Sequence, residues 1–118
     1  MSKSFISSNQ ELRKGDCLVS NNGNYKAVFQ EDGNFVLYEW KPVWATNTVG
    51  PGPYRIVLQE DSNLVMTAKN SVCTWCTGNY VKNGNCQRLR LTVTDQGRLE
   101  VENDGKIIWN NMQGRVGP

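Results

Sequence analysis

A nine-residue pattern that occurs three times constrains the fold of this chain more than any other feature. Its first copy runs from Gln30 to Tyr38 and alternates polar and apolar positions with period two, which is typical of a β-strand. The Asp32-Gly33 pair in its middle is typical of a tight hairpin turn. The pattern therefore predicts antiparallel strands over residues 28–30 and 34–38. The residues expected to face the core are Phe29, Phe35 and Leu37.

The opposite face of this hairpin is predicted to be mostly polar. It carries the alternate residues Gln30, Asp32, Asn34, Val36 and Tyr38. Amide, carboxylate and phenol groups can donate to and accept from the hydroxyls of a sugar, and the valine can cover its apolar ring carbons. A charged acceptor such as Asp32 makes the stronger kind of hydrogen bond. This face is therefore a candidate carbohydrate site.

The pattern recurs at residues 59–67 and, in degraded form, at residues 94–102. A tryptophan follows each copy at a similar distance, at Trp44, Trp75 and Trp109. Repeats of about 30 residues that cannot each bury a core usually stack around a common axis. The sequence therefore predicts a three-sided all-β prism or barrel with the tryptophans in its core.

The pattern Gln-x-Asp-x-Asn-x-Val-x-Tyr, followed by Trp44-Ala45-Thr46-Asn47-Thr48, resembles the bulb-type mannose-binding lectins of monocot plants. The segments Arg13-Lys14-Gly15-Asp16 and Trp40-Lys41-Pro42 are more similar to the related lectins of fish skin mucus. The resemblance implies a β-prism II of three four-stranded antiparallel sheets with pseudo-threefold symmetry. It implies one domain over residues 1–118, with repeats at approximately 12–50, 54–80 and 87–111, and one potential mannose site per sheet.

Carried onto this chain, the resemblance implies two sites. The first is complete and consists of Gln30, Asp32, Asn34, Val36 and Tyr38. The second consists of Gln59, Asp61, Asn63 and Val65 and lacks the phenol, because Thr67 stands in its place. The third copy has Arg98 and Glu100 where the pattern has Asn and Val, so it is predicted to be a scaffold. In the family, Asp and Asn hold the axial 2-hydroxyl of mannose.

The resemblance predicts a calcium-independent, non-enzymatic lectin without cofactors or metals, which recognises mannose-rich glycans on microbial or cell surfaces in innate defence. It implies a homodimer formed by exchange of the C-terminal strand, here Lys106 to Asn111. An extracellular location in mucus or on the body surface is expected by resemblance, although residues 1–5 lack the apolar core of a secretory signal. A cytoplasmic location stays open.

Composition excludes several other partners. The net charge of +2 is too small to favour nucleic acid or an anionic membrane. No apolar stretch approaches the roughly 20 residues of a membrane-spanning helix, so no membrane insertion is expected. Because the chain has no histidine and its repeated carboxylates lie in separate repeats, an enzyme is disfavoured. The stronger alternative is a protein-binding adhesion or antagonist module, which free mannose would not inhibit.

The four cysteines allow three complete pairings. Cys73 and Cys76 form a Cys-x-x-Cys pair, but in a regular strand their sulfurs would point to opposite faces. A bridge from Cys73 or Cys76 to Cys86, closing the loop before the third repeat, is favoured over a metal site. Cys17 has no assigned partner.

Overall fold

The computed structural model describes residues 3–79 and 88–112. These residues form twelve β-strands and contain no helix. The strands are β1 (Phe5–Ser7), β2 (Glu11–Arg13), β3 (Cys17–Val19), β4 (Lys26–Phe29), β5 (Phe35–Tyr38), β6 (Pro42–Ala45), β7 (Arg55–Leu58), β8 (Leu64–Thr67), β9 (Cys73–Cys76), β10 (Leu89–Val93), β11 (Leu99–Asn103) and β12 (Lys106–Asn110).

The strands form three antiparallel four-stranded sheets. The first sheet has the order β3-β4-β5-β6, the second β2-β7-β8-β9 and the third β1-β10-β11-β12. Each repeat supplies three consecutive strands, and the N-terminal segment supplies one further strand to each sheet. This arrangement confirms the predicted β-prism II.

The N-terminal segment is more regular than its sequence suggests. Phe5–Ser7 forms a strand paired with β10, with Ile6 opposite Leu91. Ile6 is buried in the common core. A three-residue strand is too short for alternation to show in the sequence, so its conformation depends on its partner strand.

The inward side chains of the three sheets meet on the prism axis. The predicted core residues Phe29, Phe35 and Leu37 are fully buried. The rings of Trp44, Trp75 and Trp109 contact one another edge to face, with centroids 6.0, 6.0 and 6.1 Å apart. Such aromatic pairs contribute about 0.5–1.5 kcal/mol each beyond the burial of their area. Trp44 and Trp109 belong to the buried core, as predicted, and Trp75 is partly buried against it.

Each sheet has a β-bulge at the same place, before its outermost C-terminal strand. The pairing shifts between Leu37 and Tyr38 in the first sheet, between Met66 and Thr67 in the second, and between Val101 and Glu102 in the third. A bulge places two residues of one strand opposite one of its neighbour and strengthens the local twist. The repeats therefore share irregular features as well as regular ones.

The C-terminal strand lies in the sheet of its own chain. Trp109 of β12 pairs with Val101 of β11, and a turn with positive φ at Asp104 and Gly105 joins the two strands. No helix in the described part of the chain is long and apolar enough to cross a membrane.

Candidate functional site

The first polar face is built on the turn between β4 and β5. The Gln30 amide donates to the Asn34 carbonyl at 2.8 Å, and the Gly33 amide donates to the Gln30 carbonyl at 3.1 Å. Gly33 has a φ of +92°, and a Cβ at this position would lie 2.5 Å from the Gly50 carbonyl oxygen. Only glycine fits here without displacing the backbone. The turn is therefore fixed against the loop that follows β6.

Three of the predicted side chains form one hydrogen-bonded row. The Tyr38 hydroxyl donates to Gln30 Oε1, and Gln30 Nε2 donates to the two carboxylate oxygens of Asp32 at 3.0 and 3.1 Å. The Asn34 backbone amide donates to Asp32 Oδ1 at 3.0 Å. These bonds, the Asn34 amide first and Gln30 next, lower the pKa of Asp32 below its usual 3.8. Asp32 is thus an exposed, ionised acceptor that its neighbours hold in position.

The Asn34 side chain is oriented by two threonines that the pattern-based prediction did not include. Thr46 Oγ1 and the Thr48 backbone amide both donate to Asn34 Oδ1 at 3.2 Å. With its oxygen occupied, Asn34 presents its amide N–H groups, for which the described residues offer no partner. The threonine two residues after the tryptophan recurs as Thr77, which donates to Asn63 Oδ1 at 3.1 Å. That recurrence is the sequence signal that could have identified this group.

The valines of the pattern are the floor of the two faces. Val36 and Val65 are only 4% and 6% exposed, yet neither belongs to the common core cluster. They lie on the outer side of their sheets, where neighbouring side chains surround them. A buried apolar floor beneath polar groups suits the C–H face of a sugar ring.

The second face reproduces part of the first. Asn63 donates through its backbone to Asp61 Oδ1 at 3.0 Å, and the Gly78 amide donates to Asn63 Oδ1 at 2.9 Å. Within the described residues, however, no hydrogen bond joins Gln59 to Asp61. Thr67, at the place of Tyr38, has a buried hydroxyl without a hydrogen-bond partner. The second face therefore has the acceptor and the oriented amide, but it lacks the side-chain row that holds the carboxylate in the first face.

The third face has the same backbone and different chemistry. Glu100 replaces the floor valine and is 8% exposed. Burial raises the pKa of its carboxyl above the usual 4.5, and the charge of Glu102 adds to this, while Arg98 acts in the opposite direction. A buried carboxyl cannot serve as an apolar floor.

The described residues contain no group of three or more His, Cys, Asp or Glu side chains that could hold a metal ion. Cys17, Cys73 and Cys76 are free thiols. Cys86, the predicted bridge partner of Cys73 or Cys76, lies outside the described residues, so that bridge stays a prediction.

The chain is similar in sequence and in fold to known proteins. The chain is 45% identical over 111 residues to the B-type lectin plumieribetin of Scorpaena plumieri, covering 94% of this chain and 96% of that protein. It is 49% identical over 47 residues to a mannose-specific lectin of Narcissus tazetta, covering 39% of this chain and 32% of that protein. No family model matches the chain.

Among solved structures, the fold is similar to the mannose-specific agglutinin of snowdrop (Galanthus nivalis) complexed with methyl-α-D-mannoside. The TM-score is 0.76 at 26% identity, covering 88% of this chain and 93% of the snowdrop chain. Sequence and structure comparisons thus converge on one group of proteins.

Proposed function

The chain belongs to the B-type lectin family, and on that premise we propose that its first outer face binds mannose and mannose-rich glycans without calcium. The observation that carries this proposal is the hydrogen-bonded row Tyr38–Gln30–Asp32 above the Val36 floor. It offers an ionised acceptor and a phenol in fixed positions, with the Asn34 amide beside them.

In the proposed complex, two neighbouring sugar hydroxyls donate to the Asp32 carboxylate. The side-chain amide of Asn34 donates to the oxygen of one of these two hydroxyls. Gln30 is already engaged by both Tyr38 and Asp32, so its main role is to orient them. A site built for the axial 2-hydroxyl leaves its own polar groups unpaired when that hydroxyl is absent, which disfavours glucose. The second face is proposed to bind more weakly, because Thr67 offers no accessible hydroxyl.

The test is titration calorimetry with methyl-α-mannoside and the glucoside, repeated with a chelator. Asp32→Asn keeps the shape but removes the charge, and it should weaken mannoside binding at least tenfold, since bonds to a charged group contribute about 1.5–3 kcal/mol each. Asp61→Asn should have a smaller effect. Asp104→Asn is the matched control, because Asp104 is an exposed turn carboxylate in the third repeat.

Unchanged mannoside binding by the Asp32→Asn variant would contradict the site, and binding that requires calcium would contradict the metal-free mechanism. A protein-binding module remains distinguishable, because its capture of a partner would persist in excess free mannose. We further propose that the protein acts outside the cell, on glycans of microbial or cell surfaces, in defence.

The proposal includes a homodimer formed by exchange of β12. Exchange replaces the β11–β12 pairing within one chain by the same pairing between two chains, and β12 is an edge strand with Ile107 49% exposed. A dimer would carry several weak sites on one particle, and linking sites adds roughly 10²–10⁴ in apparent affinity. Agglutination of mannose-bearing cells is the expected consequence.

Light scattering at micromolar concentration tests the assembly. A single species at the chain mass of 13.3 kDa would contradict the dimer. Gly105→Val strains the turn between β11 and β12, where φ is +83°, and an opened hinge relieves that strain. The dimer fraction should therefore rise in this variant, whereas an unchanged fraction would contradict the exchange mechanism.

A further inference from the structure

Cys73 and Cys76 lie on β9, an exposed edge strand of the second sheet. Cys73 pairs with Thr67 and Cys76 pairs with Val65, with the bulge between these two pairs. Paired residues face the same side of a sheet, and Thr67 and Val65, two apart on β8, share the outer side. The expectation that the two sulfurs point to opposite faces is therefore wrong, because the bulge restores both to the same face.

The bulge also shortens the span between the two cysteines. Residues two apart on a strand are about 6.6 Å apart, and cysteines paired with such residues have a similar Cα separation. This is within the roughly 4.4–6.8 Å that a disulfide spans. In a regular strand, residues three apart would be separated by about 10 Å.

The local chemistry supports contact between the thiols. Partial burial, with the charge and hydrogen bond of the neighbouring Cys76 thiol, raises the pKa of Cys73. At the equivalent positions, the first sheet has Pro42 and Ala45 and the third has Ile107 and Asn110. The thiol pair is thus a feature of the second sheet, directly beside Val65 and Thr67 of its polar face.

We propose that Cys73 and Cys76 are a redox pair that closes to a disulfide on the outer face of the second sheet by exchange with a small-molecule disulfide. One protein thiolate attacks a sulfur of the small disulfide, forming a mixed disulfide and releasing one small thiol. The other protein thiolate then attacks the protein sulfur of that bond and releases the second small thiol. The two protein thiols lose two electrons and two protons, which end on the two small thiols.

The test uses the full chain, reduced and then equilibrated with mixtures of reduced and oxidised glutathione. The remaining thiols are alkylated and the chain is cleaved with trypsin. Cys73 and Cys76 are then together in peptide 70–82, Cys86 is in peptide 83–88 and Cys17 is in peptide 15–26. The expected product is peptide 70–82 lighter by two hydrogen atoms and not alkylated. The equilibrium constant for this bridge should be at least about tenfold larger in the folded chain than in denaturant, because the folded sheet holds the thiols together.

Four single Cys→Ser variants make the assignment specific. Cys86→Ser and Cys17→Ser should form the same bridge, whereas Cys73→Ser and Cys76→Ser should form only a mixed disulfide with glutathione. Cross-linking of peptide 70–82 to peptide 83–88 would establish the bridge to Cys86 and overturn the proposal. Equal equilibrium constants in folded and denatured chain would also overturn it.

Discussion

The first and third sheets have the same backbone arrangement and different outer faces. In both, the side chain two residues after the tryptophan accepts a hydrogen bond from the first backbone amide of β5 or β11. Phe35 N donates to Thr46 Oγ1 at 3.2 Å, and Leu99 N donates to Asn111 Oδ1 at 3.0 Å. On the outside, however, Glu100 stands where the first sheet has Val36. The inward residues therefore specify the prism, and the outward residues can change without altering it.

The largest expected effect on stability and binding comes from substituting alanine for Gly33, and Gly97 is the equivalent turn glycine of the third sheet. Gly33→Ala places a Cβ 2.5 Å from a backbone oxygen, at Gly50, while Gly97→Ala meets the side chain of Tyr25. Positive φ costs a residue with a Cβ about 1–2 kcal/mol, and a clash adds roughly 1–3 kcal/mol. We expect Gly33→Ala to lower the free energy of unfolding by about 3 kcal/mol and to weaken mannoside binding.

Gly97→Ala should lower stability and leave mannoside binding unchanged, because it alters the third sheet. Gly23→Ala, with positive φ and open space around the Cβ, should show only the conformational cost. Chemical denaturation and calorimetry measure both quantities. Equal loss of binding in the Gly33 and Gly97 variants would show that the two faces are not independent.

The sequence predicted the first hairpin to within two residues at each strand end, because alternation over nine positions is a strong signal. It did not predict β1, whose three residues depend on pairing with β10. It also missed the role of Thr46 and Thr48, since their bonds to Asn34 join residues that only the folded sheet brings together. The bulge that places Cys73 and Cys76 on one face has no local signature in the strand itself. These features depend on pairing between residues distant in sequence, which the periodicity of a single segment does not show.

A smaller effect is expected from Glu100→Gln in the third sheet. The pKa of Glu100 is raised on folding, so its contribution to stability is fully present below its usual value of 4.5 and is lost as pH rises through the folded value. At pH 7 the buried charge therefore opposes folding. Glu100→Gln should raise the free energy of unfolding by on the order of 1 kcal/mol, and the melting temperature should rise with it.

The gain should vanish below about pH 4, where glutamate is neutral in both states. Glu39→Gln, at an exposed position in the connection between β5 and β6, is the control and should change little at either pH. A variant less stable than the wild type at pH 7 would show that the Glu100 carboxylate has a stabilising role on the third face.

The smallest expected effect is that of pH on mannoside binding at the first face. The pKa of Asp32 on this face is lowered, whereas that of Glu100 on the third face is raised. Hydrogen bonds from the Asn34 backbone and Gln30 hold the pKa of Asp32 below 3.8. The stabilisation they contribute is therefore present above pH 3.8 and is lost only as pH falls through the lower folded value. Mannoside affinity should be the same at pH 7 and pH 5, because Asp32 stays ionised throughout, and it should fall at still lower pH. Calorimetry at each pH, with circular dichroism to confirm the fold, measures this, and affinity already lost at pH 5 would mean that another titrating group controls the site.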